Sequence, residues 1–365
     1  MDEKFMTLAI KLAKCGIGKV NPNPLVGAVI VNEKEIIGQG YHEKYGGSHA
    51  EVNAINNSID SVEGSTLYVT LEPCCHFGKT PPCVNLIIEK GIKKVVIGHL
   101  DPNPAVCGKG VKKLREAGVE VVTGVMEDEC RKINNVFIKY IKKEMPYVVL
   151  KTAMSLDGKI ATYTGESKWI TGSESRKKVH ELRNDMVSIM VGVNTVILDN
   201  PKLTCRIPGG RNPIRIIVDS KLRVPMNSEV VLSANKVKTI VATTKIAEKE
   251  KIRTLENLGV EVLIVEDNDR GVDLKKLMIK LASMGIDGVL LEGGSSLNFS
   301  ALEEKIVDKV IFYIAPKIIG GEQSKTPIGG KGIKLLSDSF KLKNLSVNSV
   351  GEDIVVEGII NCMKE

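Results

Sequence analysis

The chain has 365 residues, of which 43% are hydrophobic and 26% charged, with a formal net charge of +7. A length of this size predicts two domains of roughly 100–200 residues each, and the composition is that of a globular chain, which excludes long disorder. No apolar run approaches the ~18 residues of a membrane span, and the opening MDEKFMTLAIKLAK is charged throughout, unlike a signal peptide, so a cytoplasmic location is expected. The charges are scattered, and their mild basic excess suits an anionic small molecule as well as a nucleic acid.

In the first part, Phe5, Met6, Ala9, Ile10, Leu12 and Ala13 recur at helical spacing. LVGAVIV (25–31) is a buried-strand run with a hairpin partner at 36–40. A helix is predicted from near His49. Strands follow at 66–70, 94–97 and 119–122, with helices at 84–89 and 108–117 between them. This order predicts a mixed sheet flanked by helices. A Lys-rich helix over 129–143 then runs into Met145-Pro146, where Pro breaks it. The domain boundary is placed there, giving domains of 1–144 and 146–365.

The second part restarts an α/β rhythm. Strands are predicted at 147–152, 188–192, 214–219, 238–242, 260–265, 288–291, 309–314 and 354–360, the last one antiparallel. Helices are predicted at 173–185, 247–258 and 274–284.

Eight cysteines are present, three of them within positions 74–83. In a reducing compartment such a cluster reads as metal or catalysis before disulfide. His49 opens a helix, and Cys74 and Cys83 follow a strand. One His and two Cys suit Zn²⁺ with a fourth position left for an activated water. Glu51 can point into the same pocket and carry the proton from water to the leaving amine. The pattern is the H-x-E…P-C-x-x-C signature of zinc deaminases, with one departure: the second Cys is nine residues on, so the intervening CHFGKTPP is an inserted loop. The competing reading is a structural zinc with Cys75 or His76 as fourth ligand, which would not need Glu51. Asn23 and Asn103 lie in N-P turns at strand ends, where an amide can read a pyrimidine edge, although such pairs also simply form turns. Lys79, in the inserted loop, is a candidate for a phosphate. Cys15, Cys107, Cys130, Cys205 and Cys362 read as buried bystanders.

The stretches NPNPLVGAVIV, GGSHAEVNAI and TLYVTLEPCCHFGKTPPC resemble the deaminase half of the bifunctional riboflavin-biosynthesis deaminase/reductase family. KTAMSLDGKIAT, ESKWITG, VGVNTVILDNPKLTCR and LLEGGSSLN resemble its reductase half. The resemblance covers essentially the whole chain. It implies an α/β protein with an N-terminal cytidine-deaminase-like domain and a C-terminal dihydrofolate-reductase-like domain. It implies one zinc on His49, Cys74 and Cys83, with Glu51 as proton donor. The implied substrate is a 2,5-diaminopyrimidinone ribosylamine 5′-phosphate, which loses its ring 2-amino group as ammonia. NADPH then reduces the ribosyl group to ribityl.

For the second half the resemblance implies that Ala153, Trp169, Thr195, Asp199, Ser220, Gly294, Ser295, Ser296, Leu297, Asn298, Phe299 and Ser300 meet NADPH. Ser167, Arg183, Leu203, Arg206 and Glu292 would meet the substrate. Residue chemistry agrees in part. Gly293-Gly294 before a helix opened by serines makes an anion cradle of N–H groups, though a Gly-Gly turn is often only a turn. Arg183 and Arg206 suit a phosphate, and Asp199, Glu292 and Lys151 could assist opening of the ribosylamine. Ser220 and Lys221 could meet a cofactor 2′-phosphate. Assembly as a homo-oligomer is a further implication.

Two other functions make different demands on the sequence. A nucleic-acid deaminase would flip a base into the zinc pocket, but it should carry a basic stripe interleaved with aromatics, and aromatics here are 4%. A zinc-stabilised binding module would keep full function without Glu51.

Overall fold

The computed structural model describes residues 1–75, 81–104 and 106–360. The chain divides into two compact units, Met1–Met145 and Pro146–Glu365.

The first unit runs α1 (Asp2–Lys14), β1 (Gly27–Asn32), β2 (Glu35–Tyr41), α2 (Ala50–Asn56), β3 (Thr66–Leu71), α3 (Cys83–Glu89), β4 (Lys94–His99), α4 (Lys109–Glu116), β5 (Glu120–Thr123), α5 (Glu127–Ile133) and α6 (Asn135–Lys143). Its five-stranded sheet has the order β2-β1-β3-β4-β5. β1 is antiparallel to β2 and β3, while β3, β4 and β5 are parallel. The apolar run of β1 is buried on both faces because the sheet is covered on both sides. Ala28 and Ile30 pack with Ala54, Val84, Ile87 and Leu114 on one face. Val29 and Val31 pack with Phe5, Met6, Ala9 and Ile10 of α1 on the other. Gly40 lets α2 lie against β2: a Cβ there would come within 2.3 Å of the Ala54 nitrogen. That contact sets the helix whose N-terminus carries His49.

One expected element splits. The helix read over 129–143 is α5 and α6, broken at Asn134. Its side chain bonds the Leu25 backbone instead, accepting from Leu25 N at 2.8 Å and donating to Leu25 O at 2.9 Å. Asn competes in this way with helical hydrogen bonding.

The second unit runs β6 (Tyr147–Ser155), α7 (Ser173–Asp185), β7 (Ser188–Gly192), α8 (Val193–Asp199), β8 (Ile214–Val218), α9 (Glu229–Leu232), β9 (Thr239–Thr243), α10 (Lys249–Asn257), β10 (Glu261–Ile264), a short hairpin of β11 (Asp267–Asn268) and β12 (Gly271–Val272), α11 (Leu274–Ser283), β13 (Gly288–Leu291), α12 (Ser295–Glu303), β14 (Lys309–Ala315), β15 (Leu342–Val350) and β16 (Asp353–Ile360). The nine-stranded sheet has the order β10-β9-β8-β7-β13-β6-β14-β16-β15. It is parallel from β10 to β14, and β16 and β15 are antiparallel additions, as expected for the last strand. β15 was not foreseen. It is an edge strand with almost every residue exposed, so it carries no buried face to mark it. Among the described residues no helix is long and apolar enough to cross a membrane.

Candidate active sites

In the first unit the N-termini of two helices converge. His49 is the N-cap of α2 and Cys83 is the first residue of α3. Cys74 sits in the turn after β3. The His49 Nδ1 lies 3.5 Å from Cys74 Sγ and 3.3 Å from Cys83 Sγ, and all three ligand atoms lie within 4.8 Å of one another. The Cys83 backbone N–H donates to Cys74 Sγ at 3.3 Å, which favours a thiolate. Hydrogen bonds from Cys83 and His49 hold the Cys74 thiol well below its ordinary range, while the same Cys83–Cys74 contact and burial push Cys83 up. Two sulfurs this close cannot both be charged without a cation between them. One imidazole and two thiols at this spacing are a donor set that fits Zn²⁺. Cys75 is not part of the cluster: its side chain packs against the core, which removes it as a fourth ligand. His76 and Lys79 lie outside the described residues.

Glu51 is buried in the first turn of α2. Burial, with the Cys74 charge second, raises its carboxyl, and the Cys83 thiol hydrogen-bonds to it. A cavity of about 360 Å³ opens beside these groups and brings Asn23 and Asn103 together with His49, Glu51 and Cys74. His42 also lines it. The Ser48 carbonyl can only accept, so His42 Nδ1 donates to it at 2.9 Å, leaving Nε2 to accept from Asn23 Nδ2 at 3.1 Å. Burial lowers the His42 pKa, in keeping with that neutral tautomer. The Asn23 amide is therefore oriented with Nδ2 toward His42. Phe137 and Ile141 of α6 close another wall. Their signal was present in the sequence as an apolar i, i+4 pair on a Lys-rich helix that buries nothing in the core.

In the second unit a larger cavity, about 1370 Å³, lies at the C-terminal ends of the parallel strands. Ser167, Thr195, Asp199, Ser220, Gly294, Ser295, Ser296, Leu297 and Ser300 line it. Gly294 is the N-cap of α12, whose free N–H groups face the cavity end. Lys221 and Arg223 add positive charge, and Arg223 is held by a 2.8 Å bond to Asn194 Oδ1. A wide cavity with a helix N-terminus and separate basic groups suits a dinucleotide phosphate.

Other expected residues sit differently. Asn298 and Phe299 lie on the buried face of α12, where Asn298 Nδ2 donates to Pro327 O at 2.9 Å, so their side chains support the cradle rather than line it. Leu203 is buried in the hydrophobic core around β7 and β8. Ala153 lies on β6, paired with Tyr313, and does not line the cavity. Trp169 is 61% exposed, outside the cavity, with the Arg176 guanidinium 4.8 Å over its ring. Arg183 and Glu292 are engaged with each other, and Arg206 donates through Nε to His180 Nε2 at 3.1 Å.

Three further elements wall the cavity. Gly329 and Gly330 fold over α12, so that a Cβ on Gly330, at φ +72°, would come within 2.2 Å of the Phe299 ring. The β11–β12 hairpin crosses Ser220, whose Oγ accepts from Val272 N at 3.0 Å. Ile160–Gly165 form a third wall. Each reaches the cavity through long-range packing, which no local pattern encodes.

Comparison with known proteins shows the family of both units. The family model described as the RibD C-terminal domain matches residues 146–356, and that of the cytidine and deoxycytidylate deaminase zinc-binding region matches residues 1–99. The riboflavin biosynthesis protein RibD of Actinobacillus pleuropneumoniae is 52% identical over 98% of this chain and 95% of its own. The chain belongs to the RibD family. A crystal structure of a diaminohydroxyphosphoribosylaminopyrimidine deaminase/5-amino-6-(5-phosphoribosylamino)uracil reductase from Thermotoga maritima is 41% identical, covers 98% of both chains and superposes with a TM-score of 0.86. Acinetobacter baumannii RibD is 37% identical, with 98% of each chain covered and a TM-score of 0.88. RibD proteins are bifunctional deaminase/reductases of riboflavin biosynthesis. The cytidine-deaminase-like zinc domain and the dihydrofolate-reductase-like, NADPH-dependent domain expected from the sequence are those of this family.

Proposed function

We propose that this chain removes the 2-amino group of a 2,5-diaminopyrimidinone ribosylamine 5′-phosphate in its first unit and reduces the ribosyl group of the product in its second. The observation that carries the reading is the convergence of His49, Cys74 and Cys83 beside a buried Glu51 on a cavity large enough for a pyrimidine. When bound, zinc supplies Lewis acidity to a water and NADPH supplies hydride. Glu51 takes the proton from the attacking water and delivers it to the departing amine. Asn23, with Nδ2 committed to His42, offers Oδ1 as an acceptor to the pyrimidine edge. Asn103 lines the same cavity, and Lys79 is assigned to the phosphate.

In the second unit the N-terminus of α12, from Gly294 to Ser296, holds the cofactor phosphates. Lys221 and Arg223 meet its 2′-phosphate. Lys151, which pairs with Glu292 at 3.3 Å, delivers a proton as the ribosylamine opens, and Arg206 binds its phosphate. Free thiols at every described cysteine support work in a reducing compartment, the cytoplasm. Leu345 and Val347, exposed on the edge strand β15, support self-association.

The test is mass spectrometry of the product from zinc-loaded protein and this substrate. Ammonia loss without NADPH, then gain of two hydrogens on adding it, is expected. No change under either condition rejects the substrate.

A further inference from the structure

Glu72 precedes the Pro73-Cys74 turn and is 3% exposed. It accepts four backbone hydrogen bonds from a distant segment. Oε2 takes Asp101 N at 3.1 Å and Gly108 N at 2.9 Å. Oε1 takes Gly110 N at 2.9 Å and Val111 N at 3.2 Å. The Glu72 backbone N–H also donates to His99 O at 3.0 Å, where β4 ends. The far side of the segment faces the cavity through Asp101, Asn103 and Val106. Asn103 is bound to the anchored residue directly, its N–H donating to Asp101 Oδ1 at 2.8 Å. A buried carboxylate replaces its lost hydration with four N–H groups, which ties the segment to the Cys74 turn.

We propose that Glu72 is a positioning residue for deamination: it suspends the cavity wall of Asp101 and Asn103 from the turn that carries Cys74. The proposal rests on the deaminase reading of this cavity. Asn103 then meets the pyrimidine at a distance set by the metal turn rather than by a free loop. Gln at position 72 keeps the shape but presents an NH₂ to two backbone N–H groups, opposing donor to donor. The wall should loosen while the ligands stay.

The experiment measures deamination by Glu72→Gln, Asn103→Ala and the double variant in the zinc-loaded full chain, with zinc content and reductase rate recorded beside it. Glu72→Gln is expected to raise KM about tenfold or more, with kcat and zinc content retained. The double variant is expected to show a KM no higher than the worse single one, because both changes act through the same wall. Additive effects on KM, an unchanged KM, or a fall in kcat accompanied by zinc loss would each overturn the proposal. Should Glu72→Gln fail to fold, Gly110→Ala attacks the same joint from the other side. Its Cβ would come within 2.4 Å of Pro73 O and 3.1 Å of Glu72 Oε1, and the same KM rise is expected. An unchanged KM there also overturns the proposal. Wild-type protein that does not deaminate at all would sink the underlying reading instead, and that outcome is separate.

Discussion

Arg183 grips Glu292 with two parallel hydrogen bonds, Nε to Oε1 at 2.8 Å and Nη2 to Oε2 at 3.0 Å. Both side chains are largely buried, at 14% and 9% exposure. Lys151 approaches the same carboxylate at 3.3 Å, and Arg183 Nη1 continues to Thr204 O at 3.1 Å. Burial alone would raise the Glu292 carboxyl, but the two cations outweigh it and hold it at about 2. Arg183→Ala is therefore expected to cost about 3–5 kcal/mol in the reductase unit, because it strips a buried carboxylate of its forked partner. Arg183→Lys keeps the charge but not the fork and should recover only part of this. Denaturant unfolding of the variants measures both.

The same pair predicts an acid dependence. The folded carboxyl titrates near 2 and its ordinary value is 4.5. Its contribution to stability is complete above 4.5 and is lost as pH falls from there through 2. Over that window the wild type should lose more stability than Glu292→Gln. Equal slopes in unfolding titrations would contradict it.

Glu51→Gln removes the proton carrier and leaves His49, Cys74 and Cys83 in the chain. It should retain one zinc per chain by elemental analysis. Ammonia release should fall by roughly 10²–10⁴-fold, and reduction of the deaminated compound should continue at the wild-type rate. Ammonia release at the wild-type rate would mean that Glu51 does not carry the proton.

Cys83→Ser, or removal of zinc by a chelator, should abolish deamination and leave reduction intact, since the candidate ligands all lie in the first unit and the cofactor cavity lies in the second. Failure to reduce the already deaminated compound as well would mean that the units do not act independently.

Gly330 stands at φ +72° with no room for a Cβ against Phe299. Gly330→Ala should push the covering loop off α12 and raise KM for NADPH, while deamination is unaffected. Steady-state kinetics with NADPH varied tests it. In the same assay Arg223→Ala should narrow the preference for NADPH over NADH, because that guanidinium sits on the cavity wall near Lys221.

Chemistry carried by neighbours in sequence was legible beforehand. His49 and Glu51 stand two apart at a helix start, and Cys74 and Cys83 bracket one loop, so the two halves of a zinc-deaminase signature could be read as one candidate site. The sheet was legible too, because aliphatic runs such as 25–31 belong to strands covered on both faces. The break at Asn134 was not, since its cause is Leu25, 109 positions away. Nor was β15, whose stability comes from pairing with β16 rather than from burial. Leu203, Asn298 and Phe299 came by resemblance, but their side chains face the core, so the tertiary structure reassigns them from cavity wall to support.

By itself, then, the sequence determined the candidate donor set, the candidate proton carrier, the α/β order of both halves and the kinship that goes with its motifs. These depend on residue type and short spacing. Only the tertiary structure decided that Glu72 anchors the wall holding Asn103, that His42 orients Asn23, that Arg183 and Glu292 bind each other, and that Gly330 roofs α12. Each of these joins segments tens of residues apart, and a hydrogen bond or a steric contact is set by distance in space, which chain order does not record.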